Sequence, residues 1–282
     1  MMDYDAQRSS LYTPALRPTV FTLPVAHVEA WMCAEISRLV YTPFEQHAEE
    51  LRRLASELDN AGFKLLQAFD HDGTQAISLE HVDTNQLIIA FRGTEPDFGD
   101  IETDTRVWRK PWPQGGQVHA GFCNAFESIW PHITAEHNAM ALDLAIYTGH
   151  SLGGALAHLA TSRVGSALAQ LVTIGSPAVG DADFATTLAQ DTQLRYVNCC
   201  DLVPRLPPAW AGYTHASPAL YIDRHGQLHL PEHALPAEAQ NADHSAARID
   251  YTQRMAWHAG TLLLRDMADH SPINYVRALV PQ

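Results

Sequence analysis

The chain has 282 residues, 46% of them hydrophobic, and a formal net charge of -14, enough apolar material at this length to bury roughly three quarters of the surface of the unfolded chain. The excess of acidic groups repels phosphate backbones and anionic membrane surfaces, so nucleic acid is excluded as a partner. No apolar run reaches the roughly 18 residues that a membrane-spanning helix needs, and no stable membrane anchor is expected.

The N-terminal residues lack a basic start followed by a long apolar stretch, so the sequence-based expectation is a cytoplasmic protein, with export by a signal-independent route as the alternative. Cys33, Cys123, Cys199 and Cys200 lack metal-site spacing and read as free buried thiols. The last two fall in a predicted strand that would point them to opposite faces.

Residues 1–25 are polar and carry Pro14, Pro18 and Pro24, which reads as an arm packing on a single domain over 26–282. Val28, Met32, Ile36, Leu39 and Val40 form one helical stripe; Phe44, Ala48, Leu51, Leu54 and Leu58 form a second, ending near Asn60 and Gly62. The period then changes to that of strands at 63–69, 76–82 and 87–91, with a turn at Asp72-Gly73.

From Gly121 helices and strands alternate: a helix, a strand at 144–148, a helix from Leu152, a strand at 171–174, a helix near 183–188 and a strand at 194–198. This rhythm predicts an α/β fold with a mostly parallel sheet covered by helices on both faces. A hairpin at 220–222 and 227–230 and a long helical stretch from about Ala246 to Met267 complete the pattern.

The most specific motif is Gly149-His150-Ser151-Leu152-Gly153. It lies between an apolar strand and a helix that reads as amphipathic (Leu152, Ala155, Leu156, Leu159), where a strained turn would expose the Ser151 hydroxyl as a nucleophile and glycines would admit close neighbours. A serine that merely caps the helix does not require glycines on both sides. A P-loop is excluded, because no lysine follows the glycines.

A serine nucleophile needs an imidazole to take its proton and a carboxylate to hold that imidazole. Asp201 follows the strand at 194–198 and precedes Pro204, the position expected of the acid. For the base, His215, His225, His229 and His233 fall in or beside the hairpin and His258 lies in a helical stripe. Two Asp-His-Ser triplets remain, and His270, in a break after the last long helix, is favoured over His244. The oxyanion donors expected are the amides of Leu152 and Thr94, the latter after the strand at 87–91. His229-Leu-Pro231-Glu232-His233 fits a zinc pattern that works on a helix, which Pro231 prevents.

The ordered set Phe91-Arg92-Gly93-Thr94, Val118-His119-Ala120-Gly121-Phe122, Gly149 to Gly154, Thr173 to Gly180, Asp201-Leu202-Val203-Pro204, and a histidine with a tyrosine five residues on resembles the class 3 lipase family, over roughly residues 63–280. The resemblance implies an α/β-hydrolase fold and a lipase or esterase that needs no cofactor and works on a lipid or small-molecule ester as a monomer, with Ser151, Asp201 and His270 as triad. Phospholipase A1 or acyltransferase chemistry on the same triad, and a non-catalytic α/β-hydrolase binding module, are the competing readings. The departure is Glu95 to Asp104, mostly acidic where interfacial family members carry an apolar lid, which implies weak interfacial activation.

Overall fold

The structure, a computed structural model, describes residues 3–10, 13–21, 28–93, 108–188 and 192–281. An eight-stranded sheet forms its centre, in the order β1-β2-β3-β6-β7-β8-β9-β10. β1 (Phe63–His71), β2 (Thr74–His81) and β3 (Gln86–Phe91) make an antiparallel meander. Asp72 and Gly73, both at positive φ, form its first turn. From β3 the pairing becomes parallel, through β6 (Ile146–His150), β7 (Gln170–Ile174), β8 (Thr192–Asn198) and β9 (Leu220–Ile222), before β10 (Leu228–His229) closes the edge antiparallel. β4 (Arg109–Pro111) and β5 (Gln117–His119) form a separate ribbon.

Parallel strands must be joined by crossovers, so helices cover both faces. Alternation along the strands sorts the apolar residues into two cores. Ile88, Ile146, Val172, Ile174 and Tyr196 face α1 (Ala30–Leu39), α2 (Ala48–Asp59) and α9 (Pro272–Leu279). Ile89, Phe91, Tyr147 and Leu171 face α3 (Ala120–Glu136) and α5 (Leu152–Val164). The shorter helices are α4 (Ala139–Asp143), α6 (Ala182–Thr186) and α8 (Arg265–His270); α7 (Ala237–Arg254) is long and more exposed.

Four local expectations are corrected. α5 is buried on every side from Gly153 to Ser162, so it is a core helix and not an amphipathic one. The long stretch expected over 246–267 is two helices, α7 and α8, separated by a turn-rich segment with Gly260 at positive φ. In consequence His244 lies inside α7 and His270 is the last residue of α8, immediately before Pro272, which opens α9. Cys199 and Cys200 lie past the end of β8, where Cys199 takes a positive φ, so their sulfurs turn toward each other at 3.7 Å and do not point to opposite faces. All four cysteines are free and buried.

Within α5, His158 is completely enclosed, and its Nδ1 lies 2.8 Å from Gly154 O. Burial pushes the imidazole down to about 4 from an ordinary 6.5. The folded state therefore keeps it neutral while the unfolded chain takes up a proton below about 6.5, so its contribution is intact above that pH and is lost as pH falls toward 4. The shift corresponds to about 3 kcal/mol. Urea denaturation at pH 7 and pH 4 is expected to show His158→Gln losing less stability over that interval than the parent chain, by an amount of that order.

Candidate active site

β6 delivers its chain to the top of the sheet and reverses direction within one residue. Ser151 sits at that reversal with φ +57° and ψ -127°, strained for a side-chain-bearing residue, and its backbone opens α5. The neighbours need glycine for lack of space. A Cβ at Gly149 would strike the backbone of Gly153, one at Gly153 would strike Phe91 O, and one at Gly154 would lie 2.7 Å from the Ser176 Cβ.

Three side chains meet there. His270 Nε2 lies 3.1 Å from Ser151 Oγ, and His270 Nδ1 lies 3.0 and 2.9 Å from the two carboxylate oxygens of Asp201. Ser151, His270 and Asp201 are all buried. Asp201 also accepts from Val203 N at 2.9 Å and from Tyr275 Oη at 2.5 Å, so hydrogen bonds satisfy a carboxylate that has no cationic arginine or lysine against it among the described residues. Burial, then the charge of Asp201, raises the Tyr275 phenol well above its ordinary range, so it stays a donor.

His270 is fixed from behind as well. His150 Nε2 donates to His270 O at 2.7 Å, which leaves Nδ1 to accept from Tyr41 Oη at 2.8 Å. Burial and the neighbouring His270 hold the His150 imidazole well below its ordinary range, consistent with this neutral tautomer. Neither Tyr41 nor His150 stood out in the sequence. His150 occupies a variable position of its motif, and Tyr41 adjoins it only through the packing of α1 on β6. Leu152, the first residue of α5, carries one of the amides that no helical carbonyl can satisfy. Thr94 lies outside the described residues, as does the acidic segment 95–104. Arg92, just before them, is anchored by donation to Val40 O at 2.7 Å and by a paired contact with both carboxylate oxygens of Glu45 at 2.9 Å.

His244 is not near this group; its ring meets Arg205, with Nδ1 at 3.0 Å from the guanidinium. His229 Nε2 is engaged by Asp223 at 3.0 Å, while Glu232 and His233 are exposed in a 3-10 turn, so the zinc-like pattern assembles no site. Cys199, Cys200 and Asp269 do bring ligand-type atoms within 4.8 Å of one another. Asp269, however, already accepts from Arg265 Nε at 3.0 Å, Tyr4 Oη at 2.7 Å and Cys200 N at 3.0 Å. The hydrogen bond with Cys200, then burial, pushes the Cys199 thiol up, and a cation would have to displace a guanidinium.

Residues 88–210 match the family described as Lipase (class 3). A secreted mono- and diacylglycerol lipase of Fusarium solani is 39% identical over 117 residues, 39% of this chain and 35% of that protein. A secreted mono- and diacylglycerol lipase of Malassezia globosa is 29% identical over 169 residues, 52% of this chain and 55% of that protein. The chain thus spans about a third to a half of the curated relatives it matches. The triacylglyceride lipase of Rhizomucor miehei superposes with a TM-score of 0.55 at 25% identity, covering 68% of this chain and 77% of that one. The sheet order and these neighbours establish the α/β-hydrolase fold.

The expectation of a cytoplasmic compartment is overturned, since the relatives are named as secreted proteins and point to an extracellular location. The four free thiols do not oppose that location, since buried thiols are inert in either redox compartment. Among the described residues no helix is long and apolar enough to cross a membrane.

Tyr275→Phe removes the donor to Asp201 and the acceptor that Asn198 N uses at 3.0 Å. Leaving these buried groups unpaired is expected to cost about 1–3 kcal/mol in urea denaturation; an unchanged midpoint would show that the phenol is not a structural partner.

Proposed function

We propose that this chain, whose residues 88–210 match the family described as Lipase (class 3), hydrolyses carboxylic esters of lipids or lipid-like substrates through an acyl-enzyme on Ser151. The observation that carries the reading is the relay from Ser151 Oγ through His270 to Asp201, at 3.1 and 2.9 Å, starting from a strained serine.

In this reading Ser151 Oγ attacks the ester carbonyl while His270 Nε2 takes its proton. Asp201 keeps the His270 Nδ1 proton in place and stabilises the imidazolium that forms. The oxyanion receives the Leu152 amide and the dipole of α5, with Thr94 as the second donor. His270 then gives its proton to the leaving alcohol, takes one from a water whose oxygen attacks the acyl carbon, and returns it to Ser151 Oγ as the Oγ–acyl bond breaks and the acid leaves. The reaction uses no cofactor, and the chain acts as a monomer. A lipid ester is favoured over a hydrophilic one because Leu202, beside Asp201, and Leu263 and Leu264, just before α8, are exposed.

The test is a panel of nitrophenyl esters of graded chain length, run beside emulsified triglyceride, phospholipid and an alcohol acceptor. Ester and glyceride turnover is expected, with Ser151→Ala lowering kcat by several orders of magnitude without loss of folding. Preferential release of a fatty acid from phospholipid, or transfer to the alcohol, would replace hydrolysis of simple esters by a phospholipase A1 or acyltransferase. No turnover on any substrate, or an organophosphate found on a residue other than Ser151, would overturn the reading and favour a binding module.

A further inference from the structure

A cavity lies at the β8–β9 edge of the sheet, on the face that carries α5. There the alternation of β8 places Arg195 and Val197 opposite to Tyr196, and the segment from Pro204 to Pro218, with the start of α7, closes over them. A cavity of about 360 Å³ remains, at the small end of the range for small-molecule sites. Its walls are largely apolar, including Val197, Pro218, Ala219, Tyr221 and Ala234. Its polar groups include Arg195, Arg205, His215 and His244. None of Ser151, Asp201 and His270 lines it, although Cys199, Pro204 and Arg205 do, and these bracket Asp201 in the chain.

Two cations share this small space, and among the described residues neither is in ion-pair contact with a carboxylate. Arg195 is only 7% exposed, yet among the described residues its side chain has one hydrogen bond, from Nε to Ser217 O at 3.0 Å, and no ion pair. The exposed Arg205 meets only the His244 ring and likewise has no ion pair among the described residues. Of the carboxylates that act on His244, Asp243 accepts from Tyr221 Oη and Arg224 N, and Asp266, which also feels the charge of Arg205, is paired with Arg248. Around Arg195 the polar network is incomplete, since Ser217 Oγ and Thr173 Oγ1, the latter on its register partner in β7, are buried without a hydrogen bond.

A buried guanidinium with no anion beside it is costly, and proteins ordinarily pair such a charge. We propose that this cavity binds the carboxylate of a small amphiphilic acid, with its two oxygens on the forks of Arg195 and Arg205 and its alkyl chain against the apolar walls. A planar two-oxygen anion matches a guanidinium fork. A phosphate dianion brings more oxygens than these largely apolar walls can satisfy. The imidazoles agree with a positive field: burial and then Arg195 push His215 down to about 3, and burial and then Arg205 lower His244. Both rings are therefore neutral at pH 7 and leave the two arginines as the charges of the site. Such an acid is the class of product an ester hydrolase releases; that link rests on the proposed function, whereas binding itself does not.

Calorimetric titration of the full chain with octanoate tests this, with 1-octanol and inorganic phosphate as comparisons. Octanoate is expected to bind at one site per chain, more tightly than either, and Arg205→Gln, at an exposed position, to weaken it about tenfold or more. Arg195→Gln is expected to abolish binding if that variant folds. Absence of octanoate binding, binding insensitive to Arg205→Gln, or equal affinity for octanol or phosphate would overturn the proposal. Because no ester is turned over, this titration can fail or succeed independently of the ester panel.

Discussion

A carboxylate removed from water must be met by hydrogen bonds, and the architecture around the Asp201 side chain follows from that requirement. Its donors are the amide of Val203, the phenol of Tyr275 and the His270 ring. Each comes from a different element, so β8, the loop after it, the end of α8 and the middle of α9 must all be placed before the acid is satisfied. Tyr275 extends the chain of dependence by accepting from Asn198 N at the end of β8. The imidazole is thereby fixed at Nδ1 by Asp201 and at its own backbone carbonyl by His150, leaving Nε2 free to face Ser151.

The N-terminal residues belong to the same arrangement. Tyr4 donates to Asp269, the residue before His270, and Asp5 exchanges backbone-to-side-chain bonds with Asn274, the residue before Tyr275. Further along, Thr19 and Val20 donate to Glu35, whose buried charge is balanced by Arg38. Asp269 and Asn274 thus hold the first residues to the last part of the chain, while Glu35 holds residues 19 and 20 to α1. Burial raises Asp269 even with Arg265 beside it, so the pair depends on the hydrogen bonds of Tyr4 and the Cys200 amide as well as on charge.

Much of this was legible in the residues because each signal had a local cause. The switch from period 3.6 to period 2 near Phe63 and the alternation after Gly121 reflect which faces are buried, and burial dictates apolar spacing wherever one face meets the core. The elbow could be read because only glycine fits against Phe91 O and Ser176. Less legible was whatever depended on two distant segments meeting. Nothing in the spacing of 246–267 announced that α7 ends at Arg254, since the turn that follows is held by tertiary contacts such as Leu262 N to Ala6 O and Tyr251 Oη to Leu262 O. The pattern puts His270 after a long helix; it ends a short one, which Ser271 separates from α9. The geometry is reached by a different route from the one the pattern suggested.

The same distinction explains why Arg195 was silent in the sequence. A lone arginine in a predicted strand reads as a solvated side chain, and a net charge of -14 suggests a counter-ion close at hand. Yet charge balance is local: a buried group feels partners within a few ångströms, while distant surface carboxylates are screened by water and salt. The surplus of acid lies elsewhere on the molecule or is already spent on other arginines, as with Asp266 on Arg248 and Glu45 on Arg92. A strongly acidic chain can therefore hold a pocket whose arginines are in no ion pair among the described residues, and the strand parity that turns Tyr196 into one core is what turns Arg195 to the other face.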